Sequence, residues 1–253
     1  MTAPFEGRVA LVTGAGRGIG RAVALELAAG GAQVALLARS LGQLDEAAEA
    51  VRAKGGNAVV LQADVADPRA VAEAAARAAK ELGPVDILIN NAAVVQPVGP
   101  TVTAAPAAWL SAFAVNVDGP FHFAQALLPS MLDRGWGRIV NVSSGIVDHP
   151  KAMVGMNVYA ATKAALEAHT LNLAAELAGS GVAVNVYRPG AVDTAMQEWI
   201  RNQPPDEIGP DLHERFETSY QQGSLITPEH SARSLLTHLT SDTTGDIWTA
   251  TDA

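Results

Sequence analysis

Residues 8–13 (RVALVT) are a short β-branched run that ends on a glycine cluster, Gly14-Ala-Gly16-Arg-Gly18-Ile-Gly20. An apolar run of this length, stopped by a turn, is the pattern of a buried strand. The glycines open a helical segment, 21–29, which Gly30-Gly31 closes. A buried strand turned at once into a helix is the opening of a parallel sheet covered on both faces.

The remaining chain repeats the alternation. Strands are expected at 33–38, 59–62, 85–89, 138–142, 182–187 and 246–249. Between them, helices are expected at 43–54, 68–82, 106–132, 158–178 and 228–239. Pro68, Pro106 and Pro228 suit first helical turns, and Gly119-Pro120 marks an irregularity inside the fourth helix. Residues 191–226 show no clear periodicity and read as an irregular segment, either a lid or a disordered loop. No domain boundary or internal repeat stands out. The expected architecture is α/β, a doubly wound parallel sheet of about seven strands, with residues 1–253 forming a single domain.

Composition removes several function classes. A chain 49% hydrophobic and 17% charged does not stay disordered over long stretches. Its net charge of -9 and pI near 5.1 argue against nucleic acid and against an anionic membrane surface as partners. There are no cysteines, so disulfides and thiolate chemistry are excluded. The first eight residues hold no apolar signal core, and no run approaches the ~20 apolar residues of a membrane span. The expectation is a cytoplasmic protein. No histidine or carboxylate cluster has metal-ligand spacing, so no metal is expected. His149 reads as a solvated loop residue, and His122 and His169 as helix residues.

Backbone amides at a glycine turn, together with the positive end of the following helix, cradle an anion. The spacing is not G-x-G-x-x-G, because Ile19 and Arg21 stand where a third glycine would fall; it is Gly14-x-x-x-Gly18-x-Gly20. About 20 residues on, an acidic residue would bind a ribose 2′-hydroxyl and an Arg a 2′-phosphate. The chain has Ala38-Arg39-Ser40 there, with Arg17 in the turn as a second cation. A planar guanidinium suits a phosphate, so NADP(H) is favoured over NAD(H). Asp64-Val65 can accept from an adenine amino group, and Asn90-Asn91-Ala92-Ala93 follows the fourth strand. Cofactor contact and backbone pinning remain open for the two asparagines.

Tyr159 and Lys163 lie four residues apart, on one face of a helix. A free Tyr titrates near pH ~10, too high for ready proton exchange unless a neighbouring cation stabilises the phenolate, and Lys163 is placed to supply one. Ser144, at the end of the fifth strand, is placed to hold a substrate oxygen, with Ser143 beside it as the other candidate.

Taken together, Thr13-Gly14-Ala-Gly-Arg-Gly18-Ile-Gly20, Asp64, Asn90-Asn91-Ala92, Asn116, Ser144, Tyr159, Lys163 and Pro189-Gly190 with Thr194 resemble the short-chain dehydrogenase/reductase family over nearly the whole chain. The resemblance implies a Rossmann-like domain. It further implies that Ser144 positions substrate, Tyr159 is the general acid or base, Lys163 tunes Tyr159 and holds the ribose, and Asn116 maintains a water-linked proton relay. Cofactor contacts are then expected from Gly14, Arg17, Gly18, Ile19, Gly20, Arg39, Ser40, Asp64, Val65, Asn91, Ala92, Tyr159, Lys163, Pro189, Gly190, Val192 and Thr194. A homotetramer or homodimer built through helices 107–132 and 158–178 is also implied. The chain departs from the family pattern in three places. Ala93 replaces a usual glycine, Ser144 precedes Tyr159 by 15 positions rather than about two fewer, and the chain ends Thr-Asp-Ala where Val-Asp-Gly-Gly is common.

The expected activity is hydride transfer between NADP(H) and a small carbonyl or secondary alcohol. Trp199, Ile200, Phe216 and Tyr220 point equally to a partly apolar substrate or to apolar cover for the core. The alternatives are a catalytically silent nucleotide sensor of the same fold, an NAD-preferring alcohol dehydrogenase, and, less favoured, a methyltransferase on a related sheet.

Overall fold

The computed structural model describes residues 3–250. Seven strands form one parallel sheet: β1 Val9–Thr13, β2 Gln33–Ala38, β3 Ala58–Gln62, β4 Ile87–Asn90, β5 Gly137–Val142, β6 Val182–Arg188 and β7 Ile247–Thr249. Their spatial order is β3-β2-β1-β4-β5-β6-β7, so the winding reverses between β1 and β4. In β1, Ala10 and Val12 pack into one apolar cluster and Val9 and Leu11 into the other. That two-residue alternation is why the strand reads as continuously hydrophobic: each face has its own helical cover.

One face is covered by α1 Gly18–Ala29, α2 Leu41–Arg52 and α10 Pro228–Leu239, and the other by α3 Pro68–Leu82, α5 Gly119–Arg134 and α6 Asn157–Glu176. Pro68 begins α3 and Asp67 caps it, accepting from the amides of Arg69 and Ala70. Gly135, at φ 61, ends α5 in the left-handed conformation that a side chain would oppose. Burying a leucine such as Leu11 completely contributes roughly 1.5–3 kcal/mol.

Two expectations need correcting. Residues 106–132 are not one helix: α4 Pro106–Phe113 passes through a π-helical turn, Ala114–Asp118, into α5. The irregularity at Gly119-Pro120 is where that turn ends. Residues 191–226 are not irregular either. They contain α7 Ala195–Arg201, α8 Pro205–Ile208 and α9 Pro210–Gln221. Ile200, Ile208, Leu212 and Phe216 close a third apolar cluster with Val95, Ile146 and Met156. Short helices broken by Pro204-Pro205 and Gly209-Pro210 carry too few turns each to show a clear period. The Thr-Asp-Ala ending, 251–253, lies outside the described residues.

Candidate active site

Every parallel strand points its carboxyl end the same way, and a cleft of about 460 Å³ opens there beside the β1/β4 reversal. Its floor is the glycine turn. Gly14 and Gly18 have φ of 66° and 54°, a region that side chains disfavour. A Cβ on Gly20 would sit 2.3 Å from the Gly14 carbonyl oxygen and 2.5 Å from Asn91 Nδ2. The turn is therefore folded tightly onto itself and onto β4. No side chain caps the N-terminus of α1, so its first amides are available to an anion in the cleft. An open glycine cradle, an uncapped helix end and two guanidiniums fit a dinucleotide.

Of the residues expected to touch the cofactor, Gly14, Arg17, Gly18, Ile19, Arg39, Ser40, Asp64, Val65, Asn91, Ala92, Tyr159, Lys163, Pro189 and Thr194 line this cleft. Gly20, Gly190 and Val192 do not. Gly20 is spent on the turn's own packing, and Val192 is buried in an isolated bridge to Ile226. Gly190, at φ 79, turns the chain against Ile226. Sequence reasoning missed Gly16, Gln43 and Met196, and Ser143, the alternative to Ser144, also lines the cleft. Gly16 had a signal, since it belongs to the same turn, and a Cβ there would lie 2.9 Å from Gln43 Cβ.

The paired asparagines are pins. Asn91 Nδ2 donates to the Thr13 carbonyl at 3.0 Å, while the Asn91 and Ala92 amides both donate to Thr13 Oγ1 at 3.0 Å. Asn90 Nδ2 donates to Asn141 Oδ1 at 2.8 Å, whose own amide donates to Thr170. The ends of β1, β4 and β5 are thereby laced together beneath the cleft.

Tyr159 and Lys163 share the inner face of α6. The Tyr159 ring is half-buried and lines the cleft, and burial pushes its phenol up to about 12; a hydrogen bond with Ser144 opposes that shift. Ser144 also accepts from the Ile146 amide at 3.3 Å. Ser143 lines the cleft, but its Oγ is buried without a protein partner. Lys163 is buried and donates to the Val142 carbonyl at 2.7 Å, its Nζ 5.6 Å from the centre of the Tyr159 ring. Burial brings its amine down to about 8, with the neighbouring Glu167 carboxylate opposing. A phenol pushed up to about 12 and an amine brought down to about 8 thus stand side by side on this face, each moved chiefly by burial of its charged form.

Asn116 sits on the π-helical turn, fully buried. Its Oδ1 accepts from the Val94 amide at 2.9 Å, and its Nδ2 donates to the Val94 carbonyl at 2.8 Å and to Thr162 Oγ1 at 3.0 Å. The extra residue of a π turn aims this side chain at two elements at once. His149 is exposed, whereas His122 and His169 pack around Phe121. Among the described residues no group of His, Asp or Glu is placed to hold a metal.

An open parallel sheet with a glycine cradle at its reversal, and a phenol, an amine and a serine hydroxyl at the cleft's edge, defines the nicotinamide-dependent oxidoreductases of the doubly wound class. Comparison with known proteins narrows this. Residues 8–205 match the family described as short chain dehydrogenase. A similar relative is the 2,3-dihydro-2,3-dihydroxybenzoate dehydrogenase of Bacillus subtilis, 34% identical over 92% of this chain and 88% of its own. Two solved structures are similar in fold. The L-sorbose reductase of Gluconobacter frateurii, complexed with NADPH and L-sorbose, has a TM-score of 0.87 at 27% identity, covering 98% of this chain and 97% of its own. An NAD+-bound xylitol dehydrogenase has a TM-score of 0.86 at 27% identity, covering 97% of this chain and 98% of its own. The chain belongs to the short-chain dehydrogenase/reductase family, and it is an NAD(P)-dependent oxidoreductase acting on CH–OH or carbonyl groups.

Proposed function

We propose that the protein transfers hydride between NADP(H) and a carbonyl or secondary alcohol, with Tyr159 as general acid in reduction and general base in oxidation. The observation that carries this reading is the Tyr159 phenol in the cleft lining beside buried Lys163, at the mouth of a glycine cradle. The bound nicotinamide supplies the hydride. Ser144 donates a hydrogen bond to the substrate oxygen, and Tyr159 donates a second one to the same oxygen, along which its phenolic proton passes as hydride reaches the carbon. Lys163, fixed on the Val142 carbonyl, offers positive charge to the phenolate left behind. Asn116 serves a relay by holding the Val94 backbone against Thr162, one residue before Lys163.

The cleft's far end favours a 2′-phosphate. Arg17, Arg39, Ser40 and Gln43 line it, and among the described residues Asp64 is the one carboxylate in the lining. Asp64 stands 3.9 Å from the Arg39 guanidinium, which is largely exposed and free to turn to a phosphate. Residues 191–226, which bring Met196 and Trp199 into the cluster that holds Tyr159, act as the substrate lid of one catalytic domain spanning the chain. Exposed Leu110, Phe121 and Leu171 on α4, α5 and α6 support a homodimer or homotetramer through those helices. The absence of cysteine suits a cytoplasmic setting.

The test follows NADPH absorbance against a panel of ketones, quinones, sugars and 3-oxoacyl thioesters, with NADH in parallel. Oxidation of NADPH by at least one carbonyl class is expected. Binding of cofactor with no turnover across the panel would favour a silent sensor.

A further inference from the structure

Glu167 lies one helical turn beyond Lys163 on α6, and it is 5% exposed. A buried carboxylate needs a cation, and this one has an unusually complete partner. Arg188, the last residue of β6 and 8% exposed, donates from Nε to Glu167 Oε1 at 2.8 Å and from Nη2 to Oε2 at 2.8 Å. Its third nitrogen, Nη1, pairs with Asp148 in the loop between Ser144 and Tyr159. The fork therefore ties three pieces of the site: the α6 face that carries Tyr159 and Lys163, the loop after Ser144, and the β6 end that leads into Pro189 of the cleft wall.

The position of this pair matters because Lys163 is 2% exposed, with one hydrogen bond to a neutral carbonyl. A buried amine in such a place loses its proton readily unless an anion stands near it. Glu167 is that anion, and Arg188 is the cation paired with it. Arg188 on β6 and Asp148 in the loop face this stretch of α6, and Tyr159 shares its face. Arg138 is held by Asp242 at the opposite end of β5, and Asp118 on the π turn is exposed.

We propose that Glu167 and Arg188 are positioning residues that act through Lys163, setting between them the proton affinity of the Tyr159–Lys163 pair. Glu167 holds Lys163 cationic while it is shielded from water. Arg188 moderates that charge and fixes the carboxylate in place. The functional meaning rests on reading Tyr159 and Lys163 as the proton-transfer pair, yet the charge relation itself can be measured without substrate.

The chain has four lysines, at 54, 80, 151 and 163. Full-length protein labelled with 13C at lysine Cε is titrated by NMR, with Lys163→Met identifying the resonance. The parent midpoint is expected near 8. In Glu167→Gln it should fall by about one pH unit, and in Arg188→Gln it should rise by about one. The double variant Glu167→Gln/Arg188→Gln should return to within a few tenths of the parent. Opposite signs from two halves of one ion pair cannot arise from simple loosening of the helix. Equal midpoints, or shifts of the same sign, overturn the proposal. Should Arg188→Gln not fold by circular dichroism, the fall in Glu167→Gln and its reversal in the double variant decide the matter, and absence of either overturns it. Failure here with turnover intact would remove the tuning role and leave the assignment of Tyr159. Failure of turnover with these shifts intact would do the reverse.

Discussion

The sharpest test of the turn is Gly20→Ala. One methyl group would be added where its carbon meets the Gly14 carbonyl oxygen at 2.3 Å, the Gly14 carbonyl carbon at 2.8 Å and Asn91 Nδ2 at 2.5 Å. Two of these neighbours are backbone and cannot swing away. The third is the amide that donates to the Thr13 carbonyl at 3.0 Å. Overpacking of this kind costs about 1–3 kcal/mol, and losing the hydrogen bond adds about 1 kcal/mol. A total of about 2–4 kcal/mol corresponds to a fall in Tm of roughly 5–15 °C for a chain of this size. The same displacement widens the cradle and should weaken NADPH binding. Gly42→Ala is the control: nothing lies within 4 Å of its Cβ, and it sits inside α2, where alanine is favoured by about 0.5–1 kcal/mol. Thermal melts and NADPH fluorescence titration read both variants. A Gly20→Ala protein with the parent's Tm and NADPH affinity would refute the packing argument.

Other consequences can be checked more briefly. Tyr159→Phe should cut turnover by at least about 10²-fold while leaving NADPH affinity within a few-fold of the parent; wild-type-like kcat would sink the acid–base assignment. Arg39→Asp should invert a preference for NADPH over NADH, measured as the ratio of the two dissociation constants; a parent that prefers NADH would refute the 2′-phosphate reading. Lys163 carries a pH signature in stability. Its folded value, about 8, lies below the usual 10.5, so between those limits the unfolded chain holds more protons and stability rises with pH. Lys163→Met should therefore be favoured over the parent by urea unfolding at pH 7.5, with that advantage shrinking by about 3 kcal/mol toward pH 10.5; a constant difference would contradict the burial of the amine. Hydrogen exchange across 191–226 should slow when NADPH and a turned-over carbonyl bind, and unchanged rates would count against a lid.

The sheet and the cradle were legible before the fold was known. Strands buried on both faces leave apolar runs such as RVALVT, and a chain that must turn under a phosphate leaves glycines at fixed offsets. Tyr159 and Lys163 were legible because helix geometry brings residues four apart together whatever the rest of the chain does. The short helices of 191–226 were not, since each is a few turns long and their apolar residues find partners as distant as Val95 and Ile146.

What sequence alone determined about this protein is therefore local: the strand–turn–helix alternation, the anion cradle, and a phenol and an amine on one helical face. Tertiary structure decided everything that depends on residues far apart in the chain. It turned Asn90 and Asn91 into pins on Asn141 and Thr13. It withdrew Gly20 and Val192 from the cleft lining. Above all, it placed Arg188 against Glu167 across 21 positions of sequence. Spacing cannot reveal such a pair, because a buried charge is recognised only by what is packed around it.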